Sequence, residues 1–328
     1  DMAIVGSELV YYASAVVNDT GSNGGRISAN EVVSGSSNSF WPNVPESALS
    51  AGVTQWRKGF VRVDNAANET ASVLRVGLWR PTPGDDELYL ALGTQTNIQS
   101  AFGSPNLYGC GKLNASEVAG SNQFDVIVED GSVIIFRNGD TIRISNETSL
   151  GTGGTAEIHT VSGTPSVAGD VVTITISGTL ANDYSSTNTY VSSLIVTTGL
   201  AGTTTGKTVT SVAGTFAEAN MTVGNIGSIY QVLTFTFTSA TAFTVASDAG
   251  ITLAGGTTDA TYAPTNVSKG ASYFSVPPTC WGGTWATGNT LVITTVPPSL
   301  PILEKRVVPA GATAFGSQAR SLMFLVES

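Results

Sequence analysis

Histidine is almost missing from this sequence, which contains a single one, His159, among 328 residues. Serine and cysteine triads need an imidazole base, and zinc sites usually combine several histidine or cysteine ligands. His159 stands beside Ile158 in an alternating stretch, a position typical of an ordinary strand residue. The sequence therefore predicts no catalytic residue, no metal site and no cofactor, and we expect that the protein is not an enzyme.

Cysteine and long apolar runs are also scarce. Cys110 and Cys280 are the only cysteines, and a small disulfide scaffold would carry more, so we expect two buried thiols in a reducing compartment. The longest apolar runs, such as residues 133–136, fall far short of the ~20 residues that cross a bilayer. The first residues lack the basic leader and apolar core of a signal peptide. These features predict a folded protein without membrane contact or export signal.

Positive charge is the third feature in short supply. The chain has 24 acidic and 14 basic residues, and its formal net charge is -10 at pH 7. Tight binding to phosphate backbones requires clustered Lys and Arg that release counterions, so this composition argues against a DNA-binding protein. An acidic wall would instead suit a protein past which DNA moves without specific binding.

Glycine and alternating apolar residues are abundant, and they indicate the fold class. The chain has 37 Gly and only 12% charged residues, which favours short strands and tight turns over helices. Residues 231–245 (QVLTFTFTSATAFTV) alternate apolar residues with threonine, turn at Ser-Ala-Thr and return, as a β-hairpin does. We therefore predict an all-β, multi-domain sandwich or barrel with long Gly/Thr-rich loops and little helix.

Changes in composition divide the chain into three predicted domains. Residues 1–118 should form a β-rich platform that residues 285–328 complete, because strand patterns at the two ends are similar in style. Residues 119–200, which contain short strands and frequent turns, should form an inserted small β-barrel or sandwich. Residues 201–284 should form a β-hairpin domain with long loops.

Apolar alternation also predicts individual strands and their neighbours. Residues 56–63 and 73–79 are clear strand patterns separated by a turn, so we expect them to form a hairpin or to lie side by side. Residues 124–128, 133–136 and 141–144 should form three short strands joined by the turns EDG and NGD.

Asp85, Asp86 and Glu87 form the densest acidic cluster, within the run PTPGDDE. Paired carboxylates serve glycosidases, and oxygen-rich loops bind calcium. The run lacks the D-x-D-x-D-G spacing, and its two prolines favour a rigid projecting turn. We interpret the cluster as a solvated turn or a subunit contact, with calcium binding as an alternative.

Two further patterns are weaker indications of binding. The stretch GTTTGKT at 202–208 ends like a phosphate loop, but Ala201 stands where the first glycine belongs, so we predict no nucleotide site. Trp281 and Trp285 would suit a carbohydrate-stacking platform, yet aromatic residues of β-sandwiches are more often core or interface anchors. Glycan binding therefore stays an alternative.

Eight motifs are spread over nearly the whole chain. They are YY at 11, GGRIS at 24, PTPGDD at 81, YGCG at 108, FRNGDTIRIS at 136, LTFTFTSATAFTV at 233, WGGTW at 281 and RVVPAGA at 306. With these motifs the chain resembles a family of virion structural proteins of tailed bacteriophages and Mu-like prophages. None of the motifs is catalytic, and no residue role transfers with them.

The resemblance implies a structural role in a phage particle assembled in the host bacterial cytoplasm. Similar proteins are tail components, so a tail tube or tail-end protein forming homo-oligomeric rings is the first interpretation. A capsid decoration protein and a glycan-binding fibre or adhesin module are the alternatives. The implied partners are copies of the chain in a ring or stack, other virion proteins and DNA that passes without specific binding.

In such a ring, basic residues on the early strands should pair with the acidic turn of a neighbouring copy and set the subunit register. Aromatic residues near the C-terminal end of the chain should anchor the contact. The candidate subunit-interface residues are Arg57, Lys58, Arg80, Asp85, Asp86, Glu87, Trp281 and Trp285.

Overall fold

A computed structural model of the protein describes residues 4–36, 38, 40–315 and 319–327. The described residues form an almost entirely β structure, which confirms the predicted fold class. Helical structure among them comprises α1 (Glu46–Ala51) and single 3-10 turns at Gly6–Glu8, Gln99–Ala101, Glu218–Asn220 and Pro278–Cys280. The strands are β1 (Leu9–Val16), β2 (Gly24–Glu31), β3 (Val53–Val63), β4 (Ala71–Leu78), β5 (Glu87–Leu92), β6 (Cys110–Leu113), β7 (Gln123–Ile127), β8 (Thr141–Ser145), β9 (Ala156–Thr160), β10 (Ser166–Ala168), β11 (Val171–Thr175), β12 (Tyr190–Leu200), β13 (Thr203–Thr210), β14 (Ala213–Phe216), β15 (Gln231–Phe237), β16 (Ala242–Ser247), β17 (Gly256–Thr257), β18 (Thr265–Asn266), β19 (Ala271–Ser272), β20 (Trp281–Thr284), β21 (Thr290–Val296), β22 (Ser299–Val308) and β23 (Leu322–Glu327).

Strands from both ends of the chain build a sandwich, which we call the platform. One sheet has the order β2-β1-β3-β22-β5, and strands β12, β4 and β23 form the facing layer. Alternate residues of each strand point into the space between the layers, so Val61 from β3 and Ile302 from β22 pack with Leu74 and Val76 from β4. This core joins the early strands to the last ones.

Strands β3 and β4, which cover the patterns at residues 56–63 and 73–79, are not neighbours. The prediction that they pair was wrong, because β3 lies between β1 and β22 while β4 lies between β12 and β23 in the opposite layer. The seven residues between the two strands carry the chain from one layer to the other. Both strands bury one face in the same core, so the apolar alternation is the same for either arrangement.

The second module consists of β6 to β11 and the first half of β12. These strands curl around an apolar core that contains Phe124, Ile142 and Tyr184. An isolated bridge between Val161 and Ile176 joins the end of β9 to the end of β11 and draws the curved sheet together. Strand β12 pairs with β6 and β8 through its first residues and with β4 through its last ones, so it belongs to both the second module and the platform.

Residues 133–136 do not form the predicted strand. Ile135 and Phe136 are buried in the core of the second module, which explains the apolar run. The segment is tied at its ends instead, where Gly139 N donates to Val161 O and Val133 N donates to Asp130 O. An apolar run predicts burial, and here burial occurs outside a hydrogen-bonded ladder.

The third module contains the sheet β13-β21-β15-β16-β17 and an aromatic core. Strands β15 and β16 pair as the predicted hairpin, with Phe237 opposite Phe243, and the residues of β15 alternate between buried and half-buried. Strand β21 pairs with β13 and β15, although its residues fall in the range expected to complete the platform. The predicted division at residues 118, 200 and 284 stays a prediction.

Candidate subunit interface

Arg57 lies inside the platform, on the central strand β3, and is 2% exposed. Its Nη1 lies 2.6 Å from Asp19 Oδ1, and its Nε donates to Phe40 O at 3.1 Å. The guanidinium also lies over the Trp41 ring, 4.8 Å from the ring centroid. Internal partners therefore occupy Nε, Nη1 and one face of this cation.

Lys58 points to the other side of the same strand and is fully buried. Its Nζ donates to Gly25 O at 2.7 Å and to Asn97 O at 2.9 Å, because the loop after β5 crosses this face of the sheet. Burial lowers the pKa of Lys58 to about 7. The side chain holds this loop against strand β2 and is covered by it.

Arg80 is half-buried where the second module meets the platform. Its Nη2 donates to Glu147 O at 3.1 Å, and its guanidinium lies 4.9 Å from the centroid of the Tyr190 ring. Part of the side chain is accessible, so Arg80 can contact a neighbouring copy while keeping these partners.

The acidic turn at residues 85–87 points its three carboxylates in different directions. Asp85 is exposed and accepts a hydrogen bond from Thr313 N at 2.8 Å. Asp86 is buried, and burial raises its pKa, although the charge of Arg306 opposes that shift. Glu87 is half-buried and accepts a hydrogen bond from Tyr89 OH at 2.8 Å. Asp85 is therefore the member of the turn that is best placed to contact another molecule.

Trp281 and Trp285 belong to the aromatic core of the third module. Trp285 is 3% exposed and stacks on Phe237, with the ring centroids 4.3 Å apart. Its other side meets Gly214, where an added Cβ would lie 2.6 Å from the indole. Trp281 packs edge-on against Phe216 and at a tilt against Phe243, and it is half-buried. A sugar stacking on Trp285 would have to displace core residues, so this pair does not form an open platform.

The structure thus separates the eight candidate residues. Arg57, Lys58, Asp86 and Trp285 are buried within a single chain. Arg80, Asp85, Glu87 and Trp281 keep accessible surface. Pairing between a neighbour's acidic turn and this chain would involve Arg80 and not Arg57 or Lys58.

A buried ionic cluster escaped the sequence analysis. Glu304 is fully buried on β22, where its carboxylate pairs with Arg320 and accepts hydrogen bonds from Tyr11 OH at 2.7 Å and Trp41 Nε1 at 2.9 Å. Arg306 lies over the other end of this cluster, 4.6 Å from the Trp41 ring centroid. The position of Glu304 two residues after buried Ile302 was the one available signal, since alternate residues of a strand share a face.

Two edge strands consist mostly of exposed residues. Strand β13 ends its sheet, and six of its eight residues are exposed. The turn that follows it presents a fully exposed Val212. All three residues of β10, at the end of the largest sheet, are also exposed. Unpaired strand edges can add a strand from another chain, so these are the surfaces best suited to assembly.

Within the described residues, no group of three His, Cys, Asp or Glu side chains is arranged to hold a metal ion. His159 Nε2 lies 2.9 Å from Glu157 Oε2, and that carboxylate also accepts hydrogen bonds from Ala181 N and Asn182 N. Cys110 and Cys280 are free and buried, as predicted. No helix among the described residues is long and apolar enough to span a bilayer.

Comparisons of the chain with models of protein families, with curated proteins and with solved structures found no match.

Proposed function

We propose that this protein is a non-enzymatic structural subunit of a tailed-phage virion, which forms homo-oligomeric rings in the tail tube or at the tail end. The observation that carries the proposal is the free edge of β13, a long strand whose outer side is exposed along most of its length. A free edge of this length supplies a row of backbone donors and acceptors to a neighbouring copy.

The other features that support this proposal are the charge and the type of fold. A net charge of -10 suits a ring through which DNA passes without sticking, since a basic lumen would hold phosphates by counterion release. Three cores within one chain support edge strands such as β13 and β10, whose residues are mostly exposed. The sequence motifs that resemble phage virion proteins point in the same direction.

The test measures the oligomeric state of the purified protein by mass photometry and by negative-stain imaging. We expect closed rings of the wild type. The double variant Thr205→Lys/Thr208→Lys adds two charges to exposed residues of β13 and should shift the population towards monomers. Thr241→Lys, in the exposed turn between β15 and β16 of the same module, is the matched control and should leave the rings intact.

Two results would contradict the ring proposal. A wild-type protein that stays monomeric at assembly concentrations has no self-contact of the required strength. A discrete trimer would instead favour a capsid decoration protein. Rings that survive the double variant as well as the control variant would show that β13 is not the contact strand.

A further inference from the structure

The second module rests on the outer face of the platform sheet, around Tyr89. Tyr89 from β5 is 3% exposed and packs into the core of the second module, together with Val307 from β22. Because the Tyr89 hydroxyl donates to Glu87 Oε2, this apolar contact ends at a carboxylate. Where the second module contacts the platform, acidic side chains therefore lie directly beside the apolar packing.

Five carboxyl groups gather at this point, and we call them the carboxyl seam. Asp86 and Glu87 come from the platform, whereas Glu129, Asp130 and Asp170 come from turns of the second module. Charge interactions connect members from the two sides, since Asp86 and Glu87 act on Glu129, and Asp130 and Asp170 act on Glu87. The seam thus brings together like charges from the platform and from the second module, which share strand β12.

Hydrogen bonds satisfy only part of the carboxyl seam. Asp130 Oδ1 accepts from Ser132 N at 2.8 Å, and Asp170 Oδ1 accepts from Gly131 N at 3.0 Å. Glu129 Oε1 lies 3.5 Å from Thr82 Oγ1, at the limit of a hydrogen bond. Asp86 Oδ1 is buried, and none of the described residues donates a hydrogen bond to it.

The cations near the carboxyl seam interact with residues other than Glu129. Lys305 acts on Glu87, and Arg306 acts on Asp86. On the second-module side, Arg143 is paired with Glu147, and Arg80 donates to the Glu147 carbonyl. No ion pair among the described residues includes Glu129, so this half-buried carboxyl group would ionise beside other anions without a counter-charge.

Burial, followed by repulsion from Glu87, raises the pKa of Glu129 to about 7, although backbone hydrogen bonds from Leu88 and Thr82 oppose that shift. A carboxyl group whose pKa is higher in the folded protein than in the unfolded chain favours folding below its unfolded pKa. That contribution is lost as the pH rises through about 7. The same charge change acts locally on the contact between the two bodies.

We propose that the carboxyl seam is a pH-sensitive latch, which holds the second module on the platform while Glu129 is protonated and loosens when Glu129 ionises beside Asp86 and Glu87. The latch does not depend on the proposed role in a virion. The latch responds to changes in pH near 7, because the Glu129 carboxyl group changes its charge in that range.

The test is amide hydrogen exchange of the full chain at pH 6 and pH 8, corrected for the intrinsic pH dependence of exchange. We expect amides of residues 82–90 and 128–133 to exchange about tenfold faster at pH 8 than at pH 6 after correction. Amides of β15 in the third module should show no such change, because they lie in a separate core. Glu129→Gln should abolish the pH difference in the seam.

Glu117→Gln is the matched control, since Glu117 is a partly exposed glutamate of the same module that lies outside the carboxyl seam. This variant should keep the wild-type pH difference. If Glu129→Gln does not fold, Glu87→Gln removes one negative charge from the platform side and should reduce the difference. Equal corrected exchange of the wild-type seam at both pH values would overturn the latch, as would an unchanged pH difference in a folded Glu129→Gln.

Discussion

Glu129 and Glu157 are glutamates of the same module whose surroundings act on them in opposite ways. Burial opposes ionisation of both, but five donors converge on Glu157: Ala181 N, Asn182 N, Asn182 Nδ2, His159 and Tyr184 OH. Those hydrogen bonds outweigh burial and lower the pKa of Glu157 to about 2, whereas burial and neighbouring anions raise that of Glu129 to about 7. Donors, and not depth alone, decide which form of a carboxyl group the fold stabilises.

Glu304 extends this comparison to the platform. It is buried more completely than either glutamate of the second module, yet Arg320, Tyr11 and Trp41 supply its oxygens with a cation and two hydrogen bonds. The cluster also ties Trp41 and Arg320, which both lie outside the strands, to β22. Glu304 thus has the partners that a buried charge requires. Glu129 in the carboxyl seam has no counter-charge, so its protonation state can change near neutral pH.

The largest effect should come from removing the charge at the paired site. Glu304→Gln leaves the Arg320 guanidinium without its anion, which typically costs about 3–5 kcal/mol at a buried site. Urea denaturation at pH 7 measures the loss in the free energy of unfolding. Glu31→Gln, at an exposed position of β2, should stay within about 0.5 kcal/mol of the wild type. A similarly small effect of Glu304→Gln would show that the pair adds nothing to stability.

A smaller effect is expected at Glu157. Glu157→Gln weakens hydrogen bonds that anchor residues 181–184 and should cost about 2 kcal/mol at pH 7. The lowered pKa of Glu157 means that its contribution is present above the unfolded value of 4.5 and is lost as the pH falls through about 2. The difference in free energy of unfolding between variant and wild type should therefore decrease as the pH falls from 4.5 to 2. Denaturation curves at pH 7 and pH 3 test this, and a constant difference would contradict it.

Lys58 provides the same comparison with the opposite charge and the smallest expected effect. Because burial lowers its pKa to about 7, the unfolded chain binds more protons above that pH, and wild-type stability should rise from pH 7 towards 10.5. Lys58→Met should remove this rise. Between pH 7 and pH 9 the free energy of unfolding of the wild type should therefore increase by about 1 kcal/mol relative to that of the variant, after allowance for solvent screening. Thermal unfolding at both pH values measures the shift.

Lys112→Met is the control for this experiment, since Lys112 is exposed on β6. Its substitution should leave the dependence of stability on pH unchanged. If Lys58→Met retained the wild-type rise, another group would have to be its source.

The local pattern predicted those parts of the fold that depend on one strand and its turn. Alternation at residues 231–245 located β15 and β16 with their turn, because residues adjacent in sequence decide both strand periodicity and a tight hairpin. Glycine content and sparse charge were sufficient for the all-β class. The sequence did not predict which strands pair beyond that hairpin, as β3 and β4 show, because an amphipathic strand fits either layer of a sandwich equally well.

The sequence by itself determined the all-β class and the local hairpin of β15 and β16, and the tertiary structure decided which charged residues are buried and which partners they meet. Arg57 and Lys58 appeared suited to a subunit contact because charged residues are rarely buried without partners. Their partners come from distant segments, at Asp19, Gly25 and Asn97. A charge can be buried only where donors, acceptors or counter-charges converge on it, and that convergence depends on contacts between residues far apart in the chain.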